Sequence, residues 1–528
     1  MFLEWDWMLT EKMVIEKALH RYADRVLMKF VDREITYGEF DRLSTRFANA
    51  LYDLGLKPGD RIVSLMLNKP EGIITTLAII KSGLVGVMVN PLLAKSDIEY
   101  IIRDSGARAV AADFWFLDFM REKKGDIKSL EHIIGIPTGE EPLPEDVHNF
   151  ENLLKSGSDK RIDVDPEPDD LIFLAYTGGT TGMPKGVMLT QYNLATNAVS
   201  HTLQLDIRDK EKLLLMTPLV HAAGVIFMGS MLKGATSVVT PGFDAGQALE
   251  LIEKERITWL WVVPTMLYRM LDHPKIREVD LSSINTVVYG AAPMSPARLR
   301  EAIEAFGDVF IQIYGQVENP NLITTLSKDD HRYAAEEKED LLKSAGRPVF
   351  MCQVKIVDSE GKELGPNEPG VIMAKSPYTM KGYWNLPEKT KETMVDGWVL
   401  TGDVGYLDEE GYLYLIDRAK DMIVSGGYNV YSTKVEQAIQ EHPAVAMAAV
   451  IAVPDPDWGE AVKAIVQLKP GAKATPEELI EFCAERLAKY EKPKSVDIVD
   501  ALPLTVLGKV NKRALREPYW KDQERKIH

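Results

Sequence analysis

The chain has 528 residues, 45% of them apolar and 27% charged, with a formal net charge of −17 and two cysteines. That length exceeds what one hydrophobic core serves, and the composition is that of a globular protein folding from several domains or subdomains. The acidic balance argues against a nucleic-acid partner, and Cys352 and Cys483 supply neither a disulfide framework nor metal-ligand spacing.

The first residues, Met-Phe-Leu-Glu-Trp-Asp-Trp, carry two acids and no basic segment, so no signal peptide is expected. Thr36 and Glu39 form a capping box that opens a helix, with apolar residues at Phe40, Leu43, Phe47, Ala50 and Leu51 and an end near Gly55. Arg61 to Leu67, Val85 to Val89 and Ala107 to Ala112 read as strands. The apolar run Ile73 to Val89 is interrupted by Lys81, Ser82, Gly83 and Gly86, so it reads as a buried helix and strand and not as a membrane span. Leu171 to Ala175 reads as a buried strand.

That strand runs into Tyr176-Thr177-Gly178-Gly179-Thr180-Thr181-Gly182-Met183-Pro184-Lys185-Gly186. Glycines let backbone N–H groups approach an anion, and the hydroxyls and the ammonium add donors, so the segment can enclose a polyphosphate. Its spacing is not that of a Walker loop, because Lys185 is followed by Gly186. A flexible surface loop is the alternative for any Gly/Thr segment, and the buried strand before it favours phosphate binding. Trp259 to Val263 and Thr286 to Tyr289 read as further strands. The alternation through most of the length gives an α/β class.

Past Arg418 the pattern changes. Thr433 to Glu436 reads as a capping box, Val445 to Val453 and Val462 to Leu468 as strands, and Thr475-Pro476-Glu477-Glu478 as a helix start followed by Leu479, Cys483 and Leu487. The expected division is a large N-terminal α/β domain of several subdomains, residues 1–418, and a small mobile α+β domain, residues 419–528. The charged run Asp417 to Asp421 marks the join, although such a run also reads as a solvated face.

Several separated motifs, in order along nearly the whole chain, resemble those of the adenylate-forming superfamily: acyl-CoA synthetases, luciferases and peptide-synthetase adenylation domains. The chain looks most like fatty-acyl- or aryl-CoA synthetases. By that resemblance Thr177 to Gly182 and Lys185 form the phosphate loop, and Gly290, Ala291, Ala292 and Pro293 (continuing to Met294 and Ser295) the loop stacking on adenine. Tyr314, Gly315 and Gln316 would contact the nucleotide, and Glu318 would hold Mg²⁺. Asp403 and Arg418 would bind the ribose, and Lys420 would be the hinge. Ser425, Gly426 and Gly427 would line the pantetheine tunnel, with Trp458, Tyr490, Lys492 and Lys494 as further CoA contacts. Lys509 would be the catalytic lysine, alongside Lys185, Glu318 and His221.

His221, Ala222, Gly224, Val225, Trp261 and Val262 are the expected acyl-pocket residues, the small ones leaving room for the acid. No acid follows His221 where amino-acid adenylation domains keep an aspartate, so the resemblance implies an apolar carboxylic acid, medium- or long-chain or aromatic, as substrate. ATP, Mg²⁺ and CoA are the implied cofactors and co-substrates, in the cytoplasm, with a homodimer allowed. The rivals are an adenylating enzyme that loads a carrier protein or an oxygen nucleophile, and a non-catalytic nucleotide-binding relative. Two departures stand out: Val317 where the family usually has threonine, and the Asn319-Pro320 pair after Glu318.

Overall fold

The computed structural model describes residues 9–139, 142–177, 183–418, 421–425, 428–455, 458–505 and 509–521. Among these residues the backbone builds four sheets. In the first, Leu171–Thr177 lies beside Val85–Met88, followed by Arg61–Leu65, Ala109–Asp113, His132–Ile136 and His148–Asn149, all parallel. Its other edge turns antiparallel, through Lys185–Thr190 and then Gly382–Tyr383. A second sheet runs from Arg347–Pro348 through Asn319–Leu326, Phe310–Gln316, Thr286–Gly290, Trp259–Val262, Lys212–Leu215, Thr236–Val239 and Val26–Phe30 to Arg33–Thr36. Its middle is parallel, as expected where crossover helices cover both faces.

A third, antiparallel sheet contains Gln353–Val357, Gly370–Lys375 and Trp398–Leu407, with Leu413–Arg418 paired to the last. The fourth holds Ile423–Ser425, Tyr428–Val430, Val445–Asp455, Gly459–Leu468 and Ser495–Val499. The chain thus leaves the third sheet at Arg418 and enters the fourth at Ile423. The fourth sheet and its helices have their own core, which includes Ile423, Val435, Ile439, Val450, Val466, Leu479 and Cys483. The molecule is a large α/β N-terminal domain followed by a smaller α+β domain.

Local chemistry explains most element starts. Thr36 caps Tyr37–Asp53, with Glu39 returning the hydrogen bond, as the sequence pattern requires. Thr475 and Glu478 do the same for Pro476–Ala484, which ends before Leu487. The box expected at Thr433 is not formed. The helix there is Ser432–Gln440, so Thr433 lies inside it. Asp417, from the preceding sheet, takes over the cap by accepting the Ser432 N–H at 2.5 Å and its hydroxyl at 3.2 Å. Glu436 turns elsewhere, accepting the Val450 N–H at 2.7 Å and pairing with Lys512 at 2.7 Å. One ion pair, Lys469 with Glu301 at 3.9 Å, links the small domain to the helix Pro296–Phe306 of the large one.

Candidate functional site

The strand Leu171–Thr177 leads into residues 178–182 and the chain returns as Lys185–Thr190. Gly178, Gly179, Thr180, Thr181 and Gly182 lie outside the described residues. At the base of that loop the register sets Thr177 opposite Lys185 and Tyr176 opposite Gly186. A side chain at Gly186 would touch the Tyr176 ring at 3.0 Å, and the Tyr176 hydroxyl donates to Asp104 at 2.6 Å. The loop base is therefore held rigidly on the sheet.

Tyr383 joins this base from far along the chain. The strand Gly382–Tyr383 pairs with Lys185–Thr190, placing Tyr383 opposite Val187. The Lys185 ammonium lies 5.0 Å from the centre of the Tyr383 ring, in cation–π range. The Tyr383 hydroxyl donates to Glu318 Oε1 at 2.7 Å. Burial and the Glu318 carboxylate push the Tyr383 phenol well above its ordinary pKa, so it stays a donor. Lys185, Tyr383 and Glu318 thus form one contiguous cluster.

Glu318 sits with Val317 in the tight turn between Phe310–Gln316 and Asn319–Leu326. The residues that follow explain the Asn-Pro pair. Asn319 is fully buried, and its Oδ1 accepts from Ser376 at 2.6 Å and Thr379 at 2.9 Å. Pro320 O accepts from Asn197 at 2.8 Å. Asn319 thus fastens the Glu318 turn to the segment that delivers Tyr383, and Pro320 fastens it to the helix Gln191–Gln204. Val317 is partly buried against the main core, so it packs where a threonine would present a hydroxyl. Glu318 fits a magnesium ion: Oε1 is oriented by Tyr383, and Mg²⁺ needs only one or two carboxylates beside phosphate oxygens.

Beyond that cluster, the Tyr314 hydroxyl donates to Asp403 Oδ2 at 2.7 Å. Asp403 follows Gly402, whose φ of +73° permits the bend, and its backbone pairs with that of Arg418. Gly290 is demanded by space: a Cβ there would lie 2.4 Å from Ile313 O. Ala291 has φ +68°, a strained conformation for a residue with a side chain, of the kind that persists where the surroundings impose it. Gln316 Nε2 is enclosed without a hydrogen-bond partner. Tyr314, Gln316 and the Gly290–Ala291 bend thus gather at the ends of the paired strands Thr286–Gly290 and Phe310–Gln316, and Asp403 of the third sheet joins them through Tyr314.

His221 precedes the helix Ala222–Met231 and borders a cavity of about 100 Å³. Its Nε2 is 3.3 Å from Asn90 Nδ2, a contact that the neutral ring makes as acceptor. Burial, with a further contribution from the Lys509 ammonium, pushes His221 down to about 4. Lys509 itself is tied to Thr505 through both backbone groups, 2.6 Å from Thr505 N to Lys509 O and 3.2 Å from Lys509 N to Thr505 Oγ1.

The cavity is lined by Gly224, Val225, Phe173, Leu194, Ala198 and Met228 among others. Gly224 is among these lining residues, as expected of a pocket residue. A Cβ at that position would lie 1.9 Å from Leu219 O, so the glycine serves close backbone approach and is not simply spare room for substrate. Trp261 and Val262, also expected there, are not among the residues lining this cavity. They are fully buried in the strand Trp259–Val262 and belong to the main core, with Trp261 Nε1 donating to Thr217 at 3.1 Å. Ala222 likewise does not line the cavity; its carbonyl accepts from Asn321 at 3.2 Å.

The AMP-binding enzyme profile matches residues 15–384, and the AMP-binding enzyme C-terminal domain profile matches residues 434–509. The chain belongs to the AMP-binding enzyme family. It is 37% identical over 525 residues, 97% of this chain and 90% of the relative, to a medium/long-chain-fatty-acid–CoA ligase, FadD8, of Mycobacterium tuberculosis. It is also 37% identical over 489 residues to a feruloyl-CoA synthase of an Amycolatopsis species, covering 92% and 94% of the two chains. The solved structure of the anthranilate CoA ligase AuaEII with anthranoyl-AMP superposes with a TM-score of 0.89 at 28% identity, covering 97% of each chain. The chain is an adenylate-forming enzyme with acyl-CoA ligases among its relatives.

In this AMP-binding enzyme the remaining candidates divide. Lys420, Gly426 and Gly427 lie outside the described residues. Ser425 is buried in the fourth sheet. Trp458 and Lys494 meet at the surface, the ammonium 4.2 Å above the indole and 3.0 Å from Asp455. Tyr490 packs beside the small-domain core, while the Lys492 N–H donates to Ala488 O at 3.2 Å. Tyr383 and Asn90 were not singled out from sequence. The Gly-Tyr-Trp run at 382–384 was the available signal for the first.

Proposed function

We propose that the chain is an AMP-forming acyl-CoA synthetase. It activates an apolar carboxylic acid, fatty or aromatic, as an acyl-adenylate, and then passes the acyl group to CoA. The observation that carries this reading is the cluster at the base of the 177–185 segment, where the Lys185 ammonium lies over the Tyr383 ring and the Tyr383 hydroxyl donates to Glu318. The names of the relatives, fatty-acid–CoA ligase and feruloyl-CoA synthase, span the same two acid classes.

A carboxylate attacks the α-phosphorus of ATP to give acyl-AMP and pyrophosphate. The step brings two anions together, so it needs positioning and charge neutralisation more than acid–base chemistry. Lys185 and the loop at 177–182 would hold the β- and γ-phosphates, and Glu318 would hold Mg²⁺, which neutralises phosphate charge when bound. Tyr314, Asp403, Arg418 and residues 290–293 would seat the adenosine. Lys509 would bridge the acid carboxylate and the α-phosphate. Neutral His221 offers that carboxylate a wall without a competing charge.

In the second step the CoA thiolate attacks the acyl carbon and AMP leaves. One cavity then serves two co-substrates in turn. Residues 419–528 would rotate on 1–418 about Lys420, replacing Lys509 by the face around Ser425, Gly426 and Gly427. Trp458, Tyr490, Lys492 and Lys494 are the proposed CoA contacts. The same reading puts the enzyme in a reducing cytoplasm, where Cys352 and Cys483 stay buried thiols.

The test is a panel of fatty and aromatic acids assayed for AMP release that requires both ATP and CoA, with the thioester identified. Acyl-AMP without a CoA thioester would favour transfer to another acceptor. Absence of acid-dependent AMP release would overturn the proposal.

A further inference from the structure

The first described helix, Glu11–Arg21, ends on the acid cavity. Thr10 caps it by accepting from the Met13 N–H, which leaves Glu11 in its first turn. An acid in a first helical turn ordinarily faces water, where it favours the helix dipole. Glu11 instead is 1% exposed, lines the cavity, and has an Oε2 with no hydrogen-bond partner among the described residues.

The cations around it are committed elsewhere. Lys12 donates to the carbonyls of Ile162 and Val164 and pairs with Glu16 at 3.9 Å. Lys69, which also lines the cavity, pairs with Asp113. The polar side chains of Asn68 and Thr76 on the same wall bond to backbone carbonyls. Gln191, whose Oε1 accepts from the Lys12 N–H, has an Nε2 that is likewise buried and unpartnered. A lone buried carboxyl costs free energy unless it is neutral and hydrogen-bonded. Burial pushes Glu11 up to about 8, so at neutral pH it holds its proton and offers both an O–H and a C=O. Ser64 and His221 also line the wall, and the remainder is mainly apolar, with Phe173, Leu189, Leu194, Ala198 and Met228.

We infer that this cavity takes a carboxylic acid bearing a hydroxyl at the end remote from its carboxylate, and that Glu11 receives that hydroxyl. The inference rests on the acid-activating reading above. A neutral carboxyl suits a neutral hydroxyl, which can donate to its C=O and accept from its O–H. A plain methyl end would leave Oε2 buried and unpaired. Discrimination by a buried partner left unpaired is roughly tenfold to hundredfold or more.

The test compares matched pairs of acids in CoA-dependent AMP release: straight-chain acids of several lengths against their ω-hydroxy forms, cinnamic against 4-hydroxycinnamic acid, and an ω-amino acid as the cationic arm. Wild type should favour the hydroxylated member of the best-fitting pair by roughly tenfold or more in kcat/KM. Glu11→Leu should reverse that preference. Glu11→Gln, nearly isosteric, should reduce it while keeping its sign, which guards against a folding failure in the leucine variant. An unmoved ratio in Glu11→Leu, with AMP release from the plain acids intact, overturns this inference alone. Preference for the amine overturns the hydroxyl assignment. No AMP release with any acid overturns the acid-activating reading as well.

Discussion

Tyr383→Phe isolates one atom of the Lys185–Tyr383–Glu318 cluster. The phenylalanine ring keeps the face beneath the Lys185 ammonium, 5.0 Å from its centre, and the strand pairing to Val187 uses backbone only. What disappears is the hydroxyl donating to Glu318 at 2.7 Å. A hydrogen bond to a charged group contributes roughly 1.5–3 kcal/mol, equivalent to about tenfold to 150-fold. Partners that orient a metal-binding carboxylate affect metal affinity on a similar scale, roughly 10–100-fold. Tyr383→Phe should therefore raise the Mg²⁺ concentration for half-maximal pyrophosphate release by about tenfold or more at fixed ATP. The maximal rate should fall much less, and the melting temperature should stay within a few degrees. Tyr383→Leu should add a further loss of roughly 0.5–1 kcal/mol from the missing ring under Lys185. If Tyr383→Phe leaves the Mg²⁺ dependence of wild type, then Glu318 does not hold the metal in the orientation that Tyr383 imposes, and the cluster has been misread.

Lys509→Ala should abolish acyl-AMP formation from acid and ATP yet largely spare thioester formation from presynthesised acyl-AMP, and equal loss of both steps would contradict its assignment to the first. Glu11 has its folded-state pKa raised from 4.5 to about 8, so the native protein keeps a proton that the unfolded chain releases. Its presence should cost stability increasingly from about pH 4.5 to pH 8, at up to roughly 1.4 kcal/mol per pH unit, and no further above that. Glu11→Gln should thus raise the urea midpoint at pH 9 and barely change it at pH 4.5; a gain equal at both would show that Glu11 does not titrate this way. Gly224→Ala should lower the melting temperature and the rate together, since its methyl would sit 1.9 Å from Leu219 O. An unaltered melting temperature would show that the 219–224 segment yields freely.

The parts of this site that depend on short-range pattern were legible. The strand before the phosphate loop, the Thr36–Glu39 cap and the Thr475–Glu478 cap rest on neighbours a few residues apart, where spacing carries the physics. The Tyr383–Glu318 bond was not, because it arises from pairing between Gly382–Tyr383 and a strand nearly two hundred residues earlier. Thr433 failed as a cap for the same reason: Asp417, from another sheet, satisfies the helix start. Trp261 and Val262 show a different limit. An apolar strand residue reads the same whether it walls a cavity or fills a core, and only the packing of helices on that face decides. Glu11 escaped notice because an acid opening a helix normally needs no special explanation.

The family profile begins matching at residue 15, whereas Glu11 stands before it. The groups proposed for bond-making, Lys185, Glu318 and Lys509, all sit elsewhere, on the two large sheets or on the small domain. If Glu11 receives the acid's remote hydroxyl, that one contact comes from a length of polypeptide separate from the groups proposed for activation, while the rest of the wall shares a domain with Lys185 and Glu318. Exchanging a single turn of helix would retool what the cavity accepts while leaving the nucleotide machinery as it is, which makes the first helix the natural place for chemical diversification and for engineering.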